Sequence, residues 1–207
     1  MKSKLLSTCL FLFLTAPSLQ AARPSIAGLQ QQVDALVAAL LVCPSTSPQR
    51  FVDNGDGTIC DHQTGLMWEQ KDAEDGVEDL NNPRDVDNRY TWTSSGTSAN
   101  GTAFTDFLDR LNGVDAGAAS SEQLGGYSDW RLPTSAELQT IRCEPLGSIS
   151  PCIIDPIFAP NAAAFYWSST SGASFPGGAW VVNFFNGFVD FNGKSSGDRV
   201  RAVRGGR

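Results

Sequence analysis

Apolar residues recur at Ile26, Leu29, Val33, Leu36 and Leu40, spaced 3, 4, 3 and 4. That spacing puts them on one stripe of a helix, the a/d seam of a heptad pattern. Gln30, Gln31, Gln32 and Asp34 take the other faces, and Pro24 suits the first turn. After Pro44-Ser45-Thr46-Ser47-Pro48, a linker composition, the period changes. Phe51-Val52-Asp53 and Thr58-Ile59-Cys60 flank Asn54-Gly55-Asp56-Gly57, whose residues tolerate positive φ, and this predicts a hairpin. Phe104, Phe107, Leu108 and Leu111 share a helical face and predict a helix over 103–112, ended by Gly113. Trp130 and Leu132 lie on one face of an extended segment. Pro133 stops that segment, and Thr134 with Glu137 spells a capping box for a second helix carrying Leu138 and Ile141. Residues 180–185 and 188–191 alternate around Asn186-Gly187 and predict a second hairpin. Arg199 to Arg204 would be the closing strand. Two helices among several short strands indicate an α+β domain.

The N-terminus adds a targeting signal. Lys2 and Lys4 precede an apolar run from Leu5 to Leu14, followed by Ala21-Ala22, which reads as a secretory signal peptide over 1–22. Cys9 lies inside that run, too early for a lipoprotein cleavage site. No second apolar run suggests a transmembrane segment. The organisation expected is therefore signal peptide 1–22, amphipathic helix 23–43, linker 44–49 and one domain over 50–207. The helix is either an oligomerising neck or packs on its own domain; the linker favours the neck, with a homotrimer as its assembly.

Charge and cysteine usage narrow the class. The formal net charge is −7, and removing Lys2 and Lys4 makes it more negative. An acidic chain argues against nucleic acid and against electrostatic capture of polyanions. Cys43, Cys60, Cys143 and Cys152 remain after cleavage, and an even number in an exported chain suggests two disulfides. Of three pairings, Cys143–Cys152 and Cys43–Cys60 are favoured, the first stapling a Pro/Gly-containing loop, the second tying the stem to the first hairpin. A metal cluster is a poor alternative, since His62 is the one histidine and no Cys-x-x-Cys occurs. Asp53, Asn54 and Asp56 lack the later ligands of an EF-hand loop and read as a plain turn. The acidic stretch 72–89 reads as a solvated loop, where calcium would be unsupported. Asn100-Gly101-Thr102 is a glycosylation sequon in a host that uses one.

Several segments, taken in order, carry a resemblance. They are Arg50-Phe51-Val52-Asp53-Asn54-Gly55-Asp56-Gly57-Thr58, Thr64-Gly65-Leu66-Met67-Trp68, Tyr127-Ser128-Asp129-Trp130-Arg131-Leu132-Pro133-Thr134, Tyr166-Trp167-Ser168-Ser169-Thr170, Ala179-Trp180-Val181-Val182-Asn183-Phe184 and Val200-Arg201-Ala202-Val203-Arg204-Gly205-Gly206. Over about residues 50–207 the chain resembles the family named after the C-terminal domain of the Legionella collagen-like (Lcl) adhesin. The Arg-Leu-Pro-Thr core with Glu137 is also similar to a helix start in formylglycine-generating enzymes. Both resemblances imply a C-type-lectin-like fold, and a closing strand paired near the first. Formylglycine-generating activity is not carried over, because its active-site cysteines lie near the C-terminal end and no cysteine follows Cys152 here.

Function follows as an expectation. One histidine beside Asp61 offers no catalytic triad, and Gly-rich phosphate fingerprints are absent. The family implies an exported, non-catalytic recognition or adhesion module that binds a glycan or protein outside a bacterial cell, in the periplasm, at the surface or secreted. A hydrolase or modifying enzyme on the same fold, or a structural domain of a surface assembly, is the alternative. The expected ligand face is the C-terminal hairpin, with Phe185, Asn186, Phe188, Asp190, Asn192 and Lys194. Aromatic rings beside amide and carboxylate groups suit such recognition. Trp167 and Trp180 are expected in the core. No cofactor is expected.

Overall fold

The computed structural model describes residues 25–26, 28–30, 32–33, 43, 47–72, 74–114 and 123–206. The expected signal peptide and most of the expected neck and linker lie outside the described residues. Contacts divide the chain into two units, 1–36 and 37–207. In the first, residues 26, 28–30 and 32–33 are helical, and Ile26, Leu29 and Val33 are exposed.

The second unit is built on short antiparallel strands. β1 (Phe51–Asp53), β2 (Thr58–Asp61) and β3 (Leu66–Glu69) form a meander, and β9 (Val203–Gly205) pairs beside β3. The closing strand thus joins the sheet of the first strand. β4 (Tyr90–Thr91) pairs with β8 (Gly197–Asp198). β5 (Phe165–Ser171), β6 (Gly178–Asn183) and β7 (Val189–Gly193) form the third sheet. The expected α+β class and β-rich C-terminal half are what the structure shows.

The first domain helix, α1, runs as a π-helical stretch Ala103–Leu108 continued by the α-turn Asp109–Leu111. It buries Phe107, Leu108 and Leu111, while Phe104 meets Trp92 edge to face with centroids 5.1 Å apart. The second, α2 (Ser135–Gln139), starts at the predicted capping box. Glu137 N donates to Thr134 Oγ1 at 3.2 Å, and Thr134 N donates to Glu137 Oε2 at 2.7 Å.

The β5–β6 pair separates two cores. Trp167 and Val181 join Trp92, Phe107, Trp130 and Leu132 on one side. Their neighbours Tyr166 and Val182 join Trp68, Leu138, Ile141 and Phe158 on the other. Alternation along a strand sends successive residues to opposite faces, so two adjacent large residues serve two cores. A buried ionic knot ties β3 to the approach to β9. Lys71 Nζ lies 2.8 Å from Glu69 Oε1, Ala202 N donates to Glu69 Oε2 at 2.9 Å, and Arg201 Nη1 donates to Glu69 O at 2.7 Å. Burial pulls Lys71 below the usual lysine pKa against the opposing pull of Glu69.

Both favoured disulfides are present, Cys43–Cys60 and Cys143–Cys152. The 72–89 stretch departs from a purely solvated loop. Residues 74–81 are exposed, but Asp85, Val86, Asp87 and Asn88 are buried. Asp87 Oδ2 accepts from the backbone N–H groups of Asp75 and Gly76, at 3.1 and 2.7 Å, so this carboxylate folds the loop onto itself.

Candidate functional site

The β6–β7 hairpin turns more widely than its Asn-Gly signal suggests. The ladder ends where Asn183 N donates to Phe188 O, and residues 184–187 form the connection. Two backbone bonds explain the width. Phe184 N donates to Ala164 O and Phe184 O accepts from Cys152 N, so Phe184 is drawn into the core and out of the pairing. Gly187 supplies the positive φ, 81°, that the turn requires. Its Cα faces the Cys143–Cys152 bridge, and a Cβ there would stand 2.6 Å from Cys152 Sγ. Arg142 Nη1 donates to Gly187 O at 3.2 Å. Side-chain amides complete the turn, with Asn183 Oδ1 accepting from Phe185 N and Asn186 Oδ1 from Phe188 N.

The consequence is a braced tip with two aromatic rings in water. Phe185 is 59% exposed and Phe188 56%, beside exposed Asp190. Phe185 also walls a cleft of about 320 Å³ with Asn183, Arg89, Asp198 and Arg199. Arg89 Nε pairs with Glu78 Oε1 at 2.7 Å. Arg199 reaches Asp87 Oδ1 only at 3.5 Å, and its buried Nε has no hydrogen-bond partner among the described residues. Burial raises the Asp198 carboxyl above the usual aspartate range, opposed by the Asn192 amide and Arg199. The cleft therefore mixes donors, an acceptor and an apolar wall, which suits a ligand carrying several hydroxyl or carbonyl groups.

Two expected site residues are turned away. Asn192 is half-buried and engaged, its Nδ2 donating to Asp198 Oδ2 at 2.8 Å and its Oδ1 accepting from Gly193 N. Lys194 is a correction: it is 2% exposed, with Nζ donating to Thr97 O at 2.8 Å and Ser171 Oγ at 2.6 Å, and standing 3.8 Å from the centroid of the Trp92 ring. It pegs the β7–β8 turn to the core instead of facing a ligand, and burial lowers its pKa. Trp180 is the opposite correction. Trp167 is buried as expected, but Trp180 is 39% exposed. α2 has five residues, about 7.5 Å of helix. Leu138 packs in the core with Val182, whereas Trp180, two residues back on the same strand face, is only partly covered. Arg89, Asp198 and Arg199 were not legible as site residues, because they meet only where β8 closes against β4 and β5. Among the described residues, no group of three or more His, Cys, Asp or Glu side chains is placed to hold a metal ion. Nor is any helix there long and apolar enough to cross a membrane.

These features define a disulfide-stapled α+β domain that presents aromatic side chains from a braced hairpin. The chain belongs to the Lcl C-terminal domain family, whose family model matches residues 57–204, well over half of the chain. That membership makes it an adhesin-related module. No curated protein matches the chain.

Proposed function

We propose that this chain is the head of an exported, non-catalytic adhesion protein, built on a C-type-lectin-like fold, that binds a glycan or protein ligand through its β6–β7 tip. The observation that carries the reading is the pair of exposed phenylalanines, Phe185 and Phe188, on a turn braced by a disulfide and by side-chain amides. A soluble domain gains nothing in folding from two large rings left in water, whereas an interface gains an apolar anchor already held in place. The cleft behind Phe185 adds the polar groups that would give such an anchor selectivity. Asp190 belongs to the same face, while Asn192 supports it through Asp198.

The test pairs a melting temperature with binding. The full chain is screened on immobilised glycans and extracellular proteins, and the best ligand is measured against Phe185→Ala and Phe188→Ala. Unchanged melting with a loss of about 2 kcal/mol or more in affinity is the expected result. Unchanged affinity in both variants would place the ligand elsewhere.

A further inference from the structure

Trp68, Trp92, Trp130 and Trp167 are buried; of the five tryptophans, Trp180 alone reaches solvent. Its ring meets Phe191 of β7 edge to face, with centroids 5.5 Å apart, and Phe191 meets Phe175 at 5.8 Å. Phe175 is itself 62% exposed. The backbone makes room for this strip. Phe191 lies against Gly172 and Gly178, and a Cβ at either position would overlap its ring. At the Trp180 end the strip borders a cleft of about 420 Å³, lined by Thr134, Ser135, Gln139 and Thr170 and, among the described residues, by no charged side chain. Thr134 Oγ1 accepts from Glu137 N and Thr170 Oγ1 from Ser135 N, which leaves each hydroxyl proton to donate. Gln139 donates its amide to Ser135 O at 3.1 Å, which leaves the amide oxygen to accept.

We propose that this aromatic strip and its neutral cleft form a second binding site, separate from the hairpin tip, for an uncharged oligosaccharide. One face of a sugar ring is a patch of C–H groups, which packs on aromatic rings. Its rim is hydroxyl, and matches the threonine donors and the glutamine acceptor. Polyanionic chains are disfavoured twice, because no cation among the described residues lines the cleft and the chain carries a net charge of −7. A second copy of this chain is the competing occupant of such a face.

The burial pattern supplies the readout, since iodide quenching of the intrinsic fluorescence reports on Trp180. The full chain is titrated with cellohexaose, laminarihexaose and N-acetylchitohexaose, with a heparin hexasaccharide alongside, and binding is also followed by calorimetry. At least one neutral hexasaccharide should protect Trp180 from iodide. Trp180→Ala should weaken calorimetric binding at least about tenfold. Gln139→Ala, which suits a helix, should weaken it with unchanged melting. Phe185→Ala, at the hairpin tip, should bind the neutral sugar like the parent, so failure of the tip reading and of this one are distinguishable. Absence of protection by all three neutral sugars overturns the proposal. So does heparin binding at this face as tightly as they do. A fall in oligomeric state on Trp180→Ala also overturns it, by making the strip an interface between copies.

Discussion

Glu137 shows how one residue can join three parts of the chain. Its carboxylate accepts from Thr134 N at the cap and from Arg131 Nη1 and Nη2, at 2.8 and 2.7 Å, while Arg131 Nη2 also reaches Gly205 O. Burial pushes the Glu137 carboxyl up, but the Arg131 and Thr134 hydrogen bonds outweigh it and hold the pKa below the ordinary value of 4.5. A carboxyl whose folded pKa is depressed stabilises the fold above its unfolded pKa, and that contribution is lost as pH falls through the folded value. The melting temperature should therefore drop as pH is lowered below about 4.5, and the drop should be smaller in Glu137→Gln, which starts from a lower value at neutral pH. Equal acid sensitivity in both proteins would remove Glu137 from the acid response. The cap was legible in the sequence because its partners are three residues apart. Lys194 was not, because its Nζ is satisfied by Thr97, 97 residues away. A lysine between polar neighbours carries no local sign that a distant tryptophan and carbonyl will bury it.

At the scale of elements, the hairpin depends on the loop beneath it. The Cys143–Cys152 loop passes under residues 184–187, where Cys152 N donates to Phe184 O and Leu146 packs within 2.8 Å of a Cβ position on Gly187. Opening a loop of this length removes about 2–3 kcal/mol of chain-entropy stabilisation. The Cys143→Ser, Cys152→Ser double variant should lose about that much stability in denaturant melts. Its hydrogen exchange should rise first at Gly187 and at position 152, ahead of the β2–β3 pair. Uniform loss of protection across the domain would mean that the loop supports the whole fold and not the tip. The sequence signalled a hairpin at Asn186-Gly187 correctly, yet missed that Phe184 would leave the ladder. The bonds that pull it away come from residues 152 and 164, and period-two patterning records faces, not competing partners. The same limit hid Trp180. Its strand pattern matches a buried position, yet the ring stays 39% exposed at the edge of a cleft that it shares with α2.

At the scale of the whole molecule, family and fold class leave a mark in the sequence that the cleft does not. The family came from ordered segments spread over the chain, and the α+β class from local periodicity, so both were available before any contact was known. The position of the cleft was not, since β4, β5, β6 and β8 must assemble to make it. The N-terminal seam is where assembly can be tested. Ile26, Leu29 and Val33 are exposed, and an apolar heptad seam in water drives association. Two heptads are marginal alone, so association should depend on concentration. Cys43 is buried and bonded to Cys60, so a truncation that probes the seam should stop short of it. In light scattering the chain without residues 1–22 should reach a trimer as concentration rises, whereas the same chain also lacking residues 23–40 should stay monomeric with an unchanged melting temperature. A full chain that remains monomeric at high concentration would favour a helix packed on its own domain and remove multivalency from the adhesion proposal. A trimer matters because three weak heads on one stem raise avidity without any new contact, provided the ligand can span them.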